Sequence, residues 1–90
     1  MKTSRDVAVY MVNKLMSERK LYQEYVVYEI QKEFGDQFVY ENENGNLAID
    51  KIVLKNFREL TKDTVVWVRD ERYWRLREKG DEPAKRQVDY

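Results

Sequence analysis

Residues 50–77, DKIVLKNFRELTKD followed at once by TVVWVRDERYWRLR, most constrain what this chain can fold into. In the first half Val53, Leu54, Phe57 and Leu60 recur at spacings of three and four, which is one face of a helix, and Asp50 stands where a side-chain oxygen can cap it. In the second half the period changes to two. A turn around Asp70 and Glu71 would pair Val65 with Leu76 and Trp67 with Trp74, gathering four apolar side chains on one face that must meet a core. The other face would carry Val66, Val68, Tyr73, Arg75 and Arg77.

Upstream, Thr3 and Asp6 form a Thr-x-x-Asp capping pattern ahead of Ala8, Met11, Val12 and Leu15, which share a helical face. Val9 and Met16 widen that helix's apolar surface, so it is either covered on more than one side or offers a second face to a partner. Leu21 and Tyr22 suit a short extended segment. Gln23 to Phe34 read as a second helix through Val26, Val27, Ile30 and Phe34, with Gly35 placed for a left-handed C-terminal cap. Asn44-Gly45 between 38–41 and 46–49 signals a two-residue hairpin with Tyr40 opposite Ile49, or else an ordered loop. The expected architecture is α+β: three helices, a C-terminal β-hairpin, and an extra hairpin or loop before helix three. Residues 1–78 form one domain, and 79–90, with Gly80, Pro83 and no periodicity, form a flexible tail.

The chain has 90 residues, 42% apolar and 38% charged, a balance that suits one compact domain rather than a disordered segment. It holds no cysteine, which rules out a disulfide framework and suits a reducing, cytoplasmic setting. The first apolar stretch is too short and too interrupted by charge for a signal core or membrane span. The 17 basic and 17 acidic residues cancel, yet residues 1–50 carry 6 against 9 and residues 51–90 carry 11 against 8. The C-terminal half is the cationic half.

Catalysis and metal binding are tested by what is missing. With no His and no Cys, the commonest general base, the usual zinc ligands and every Ser-His or Cys-His arrangement are absent. The run YENENG resembles part of a calcium loop, but Tyr40 and Lys51 occupy its first and last ligand positions. No Gly-rich phosphate loop occurs. A non-enzyme without a cofactor is expected.

Two surfaces stand out as candidates for binding. Lys51, Lys55, Arg58 and Lys62 fall within a sector of about 60° on a helical wheel, away from the apolar face. That stripe is either a phosphate-contacting surface or the solvated side of an amphipathic helix, punctuated by Glu59 and Asp63. Arg69 and Arg72 bracket the hairpin tip, where they either reach an anion or balance Asp70 and Glu71. On the other side, Tyr25 and Tyr28 on helix two are either a protein-contact surface or rings covering the core edge with their hydroxyls in water.

The runs LYQEYVVYEIQKEFGDQFVYENENGNLAID and VLKNFRELTKDTVVWVRDERYWRLREKGDEP resemble a family of short bacterial and phage-associated proteins of unknown function, over residues 20–83. The order of elements is similar to winged helix-turn-helix domains, in which the last helix and the hairpin wing touch the target. That likeness implies a non-catalytic module for double-stranded DNA, with Lys51, Lys55, Arg58 and Lys62 on phosphates or base edges and Arg69, Arg72 and Arg75 assisting from the wing. The alternative is a protein-interaction adaptor or inhibitor that uses Tyr25 and Tyr28, or Val9, Val12 and Met16. Those last three would also serve a homodimer formed through helix one.

Overall fold

The computed structural model describes residues 2–78 and the backbone of Gln87–Val88. Among them the chain runs α1 (Ser4–Glu18), β1 (Lys20–Tyr22), α2 (Gln23–Phe34), a 3-10 turn (Asp36–Phe38), β2 (Val39–Glu41), β3 (Leu47–Ile49), α3 (Lys51–Leu60), β4 (Val65–Val68), β5 (Tyr73–Leu76) and β6 (Gln87–Val88). This is an α+β fold of three α-helices and small, mainly antiparallel sheets. One sheet has the order β1-β5-β4-β6, with β6 parallel to β4, and the other is the β2-β3 hairpin. Apart from β6, the proposed tail lies outside the described residues.

The capping box forms as its spacing predicts. Thr3 Oγ1 accepts from the Asp6 amide at 3.2 Å, and Asp6 Oδ2 accepts from the Thr3 amide at 2.8 Å. The bond from the Thr3 backbone, aided by the Thr3 hydroxyl, holds the Asp6 carboxyl below its ordinary value of 3.8. α1 buries Val7, Ala8, Met11 and Leu15, while Val12 is half-buried at the margin of the core. Val7 was not on the predicted face; it is buried because α1 packs on α3 and also meets β1 and β5, so an arc wider than one stripe is covered. Lys14 Nζ lies 2.8 Å from both Glu18 and Glu29, which raises its pKa and ties α1 to α2.

α2 has the predicted bounds and buries Val26, Val27 and Ile30. Gly35 does take a positive φ, but its angles of 95° and 174° are an extended conformation open almost only to glycine, not the left-handed helical one. A Cβ there would meet nothing within 4 Å, so the backbone alone sets the cost of substitution. Gly35→Ala is expected to cost about 1–3 kcal/mol, read from the urea midpoint. A neutral result would show that the chain leaves α2 by another path.

The Asn44-Gly45 hairpin exists in a different register. Val39 pairs with Ile49, Tyr40 with Ala48 and Glu41 with Leu47, a shift of one residue from the pairing expected of a two-residue loop. The cause is Asn42. Its Oδ1 accepts from the amides of Asn44 and Asn46, both at 3.0 Å, which lengthens the loop. Within that loop only Gly45 has a positive φ, 79°, whereas a type I′ turn would need it at Asn44 as well.

Asp50 caps α3, its Oδ2 accepting from the Ile52 amide at 3.0 Å. Val53 and Phe57 point into the core, Leu54 and Leu60 pack at its edge, and the Phe57 ring meets Trp74 edge-on at 5.0 Å between centroids. The helix ends at Leu60, where the Thr61 hydroxyl donates to the Phe57 carbonyl at 2.7 Å. Val65↔Leu76 and Trp67↔Trp74 pair in β4–β5 as the alternation predicts.

The second face of that hairpin departs from expectation. Val66 and Val68 are fully buried, and Tyr73 and Arg75 are each only 6% exposed. Part of the reason is β1, which pairs with β5 and sets Tyr22 opposite Tyr73 and Lys20 opposite Arg75. The Tyr22 ring lies 4.9 Å from that of Tyr73, and Lys20 Nζ sits 5.2 Å above the latter. Among the described residues no helix is long and apolar enough to cross a membrane.

Candidate nucleic-acid interface

α3 turns one face to the core and the other to solvent. With Val53 and Phe57 buried against α1, the geometry of 3.6 residues per turn places Lys51, Lys55 and Arg58 outside, and all three are exposed. They span about 10 Å along the helix axis at 1.5 Å per residue. Lys62, expected to continue the stripe, is exposed but lies in the 61–64 turn, because the Thr61 cap has already closed the helix. Glu59 and Asp63 are exposed between these cations. Ile52 is 56% exposed on the first turn, an apolar side chain beside Lys51 that lies off the apolar stripe of α3.

Arg69 and Arg72 are exposed at the tip of the β4–β5 hairpin, together with Asp70 and Glu71. The tip does not project freely. The Gln23 amide donates to the Arg72 carbonyl at 3.1 Å, so the turn is fastened to the start of α2, and Arg72 takes a left-handed φ of 55° there. Arg75 is not on this surface. It is buried in the sheet, with Nη1 donating to the Leu76 carbonyl at 3.0 Å and lying 3.9 Å from Glu78 Oε1. The alternation of β5 put it on the face opposite Trp74, and β1 accounts for part of that face's cover.

Two hollows meet at the start of α2, where Gln23 lines both. The first, of about 300 Å³, has an apolar floor of Phe57, Val65, Trp67 and Trp74. Leu54 and Arg58 of α3, with Thr61 just past its end, form one wall. The second, of about 250 Å³, brings Arg72 together with Glu24 and Tyr28 of α2 and Asn42 and Asn46 of the β2–β3 loop. Sequence reading gave Gln23 no role, since nothing in its own neighbourhood shows that it sits between two surface depressions.

The other candidate residues lie elsewhere. Val9 and Met16 are 40% and 46% exposed on α1. Tyr25 and Tyr28 are 64% and 60% exposed, Tyr25 meeting Tyr22 edge-on at 5.9 Å and Tyr28 bordering the second hollow. Among the described residues no three acidic, His or Cys side chains gather where they could hold a metal ion.

Comparison with protein families finds one whose description is a family of unknown function, matching residues 3–76. Comparison with curated proteins and with solved structures finds no match.

Proposed function

The chain belongs to that family of unknown function, DUF6953, and from the geometry of α3 we propose that it is a winged-helix module that binds double-stranded DNA and catalyses no reaction. The observation that carries this reading is the row of exposed Lys51, Lys55 and Arg58 on the face of α3 opposite its buried Val53 and Phe57. The order α1-β1-α2-α3-β4-β5 supports it, with β1 joining the hairpin in one sheet and β2–β3 inserted before α3. α3 would lie along the groove, and Arg69 and Arg72 would contact the backbone from the tip.

The acids of this surface set the strength. Glu59, Asp63, Asp70 and Glu71 stand among the six cations Lys51, Lys55, Arg58, Lys62, Arg69 and Arg72, so affinity should be modest and strongly salt-dependent. If only the three α3 cations meet phosphate, the slope of log K against log salt is about −2.7, equivalent to a loss of about 40-fold between ~50 and ~200 mM. Titrating a labelled duplex across that range measures it. No binding at ~50 mM would sink the proposal.

A second reading rests on α1. Val9 and Met16, with half-buried Val12 between them, make an apolar stripe at helical spacing, which would suit a second copy of the chain. Sedimentation equilibrium should then show a dimer that Val9→Glu abolishes. A monomer mass that stays constant up to about 1 mM protein would exclude it.

A further inference from the structure

The β2–β3 loop carries the chain's one Asn-Gly step. Asn13, Asn42, Asn46 and Asn56 are followed by Lys14, Glu43, Leu47 and Phe57, and only Asn44 precedes a glycine. The difference is chemical. An asparagine cyclises when the backbone nitrogen of the next residue attacks its Cγ, and a side chain on that next residue crowds the approach, whereas glycine has none. Asn44 and Gly45 are both exposed, and nothing lies within 4 Å of the position a Gly45 Cβ would take. The Asn44 carboxamide makes no hydrogen bond within the described residues. What restrains the pair is the backbone. The Gly45 amide donates to the Asn42 carbonyl at 2.9 Å, and Asn42 Oδ1 holds the amides of Asn44 and Asn46 on either side. The attacking nitrogen must lose its proton and meet Cγ, so the loop has to open locally before the ring can close.

We propose that Asn44-Gly45 is a site of spontaneous conversion to aspartate and isoaspartate, at a rate gated by the Asn42 hydrogen bonds. Base takes the Gly45 amide proton, the nitrogen bonds to Asn44 Cγ, and the Cγ–Nδ2 bond breaks as the leaving nitrogen is protonated and departs as ammonia. Water then opens the succinimide. Attack at Cγ leaves an aspartate in the ordinary backbone, and attack at the α-carbonyl leaves isoaspartate, with the chain routed through Cβ and Cγ. One water enters and one ammonia leaves, with no change of oxidation state. Either product places a new carboxylate beside Glu43 in a loop that also follows Glu41. Isoaspartate further adds a carbon to the backbone between the amides of residues 44 and 46, so Asn42 Oδ1 loses the span it now bridges. The site stands independently of DNA binding.

Incubating the full chain at mildly alkaline pH, with peptide mass mapping and an isoaspartate-specific methyltransferase as readouts, tests the site. Exchange of the carboxamide nitrogen for oxygen should appear at Asn44 before any other asparagine, and Asn44→Gln, whose longer side chain must close a larger ring, should not react over the same period. Asn42→Ala should accelerate the reaction about fivefold or more, the factor for losing a net hydrogen bond. Asn42→Asp keeps an acceptor for both amides and should stay near the parental rate. The parent unfolded in guanidinium chloride should show at least the acceleration of Asn42→Ala, which tests the gate without any variant. First reaction at another asparagine, equal rates in the folded and unfolded parent, an unchanged rate in Asn42→Ala, or no product at Asn44 in the folded chain after many half-lives of the unfolded reaction would each overturn the proposal.

Discussion

Replacing Phe57 with alanine is expected to cost about 3–5 kcal/mol, the range for deleting a large aromatic side chain from a packed core. The ring is 1% exposed, sits on the face of α3 that packs against α1, and meets Trp74 at 5.0 Å with the planes 66° apart. Its removal therefore combines lost burial, an edge-on aromatic pair worth about 0.5–1.5 kcal/mol, and a cavity at the junction of helix and sheet. The Thr61 cap does not contribute to the loss, because its bond is to the Phe57 backbone carbonyl. Against a total stability of roughly 5–15 kcal/mol, the variant should keep little margin. Urea titration would show a lowered midpoint with an unchanged slope. Ile52→Ala on the same helix, at a side chain 56% exposed, should stay within about 0.5 kcal/mol of the parent. A Phe57→Ala cost under about 1 kcal/mol would mean that α3 does not pack through this ring.

The second large effect is on DNA. Lys51→Gln, Lys55→Gln and Arg58→Gln together should flatten the salt slope by about 2.7, because each phosphate contact contributes about 0.9. The fold should tolerate all three, since the side chains are exposed and substitutions at such sites usually shift stability by no more than about 0.5 kcal/mol. Arg69→Gln with Arg72→Gln should remove at most about 1.8 more, and less if the fastened tip stays off the backbone. Arg75→Gln is the contrast: the residue is buried in the sheet, so the change should lower stability and leave the slope alone. If the triple variant binds with the parental slope, α3 is not the contact surface. If Arg75→Gln alone flattens the slope in a stably folded protein, the buried arginine is exposed when DNA binds.

These two expectations draw on different amounts of sequence information. Phe57 was legible as a core residue because its partners Val53, Leu54 and Leu60 lie within two turns of it, and helical periodicity is a local property. The Trp67↔Trp74 register was legible for the same reason, since a short hairpin pairs near neighbours. The one-residue shift in β2–β3 was not, because Asn42 can either join the ladder or bind the Asn44 and Asn46 amides, and the pattern of apolar residues does not choose between those states. Lys62 was misplaced by a similar competition, in which Thr61 closed the helix by donating to a carbonyl one turn back.

The sequence by itself determined the local elements: the Thr3–Asp6 box, α2 up to Gly35, the Asp50 cap on α3, and a β4–β5 pair with tryptophans facing each other. Each follows from groups a few residues apart, whose hydrogen bonds and periodicity do not depend on the rest of the molecule. Tertiary structure decided which faces remain open. Joining β1 to β5 helped turn the Tyr73–Arg75 face from an outer surface into a buried one, and docking Gln23 on Arg72 drew the tip against α2, with Gln23 bordering two hollows. Burial is set by segments distant in the chain, so Arg58 remained a surface cation while Arg75 became part of the interior.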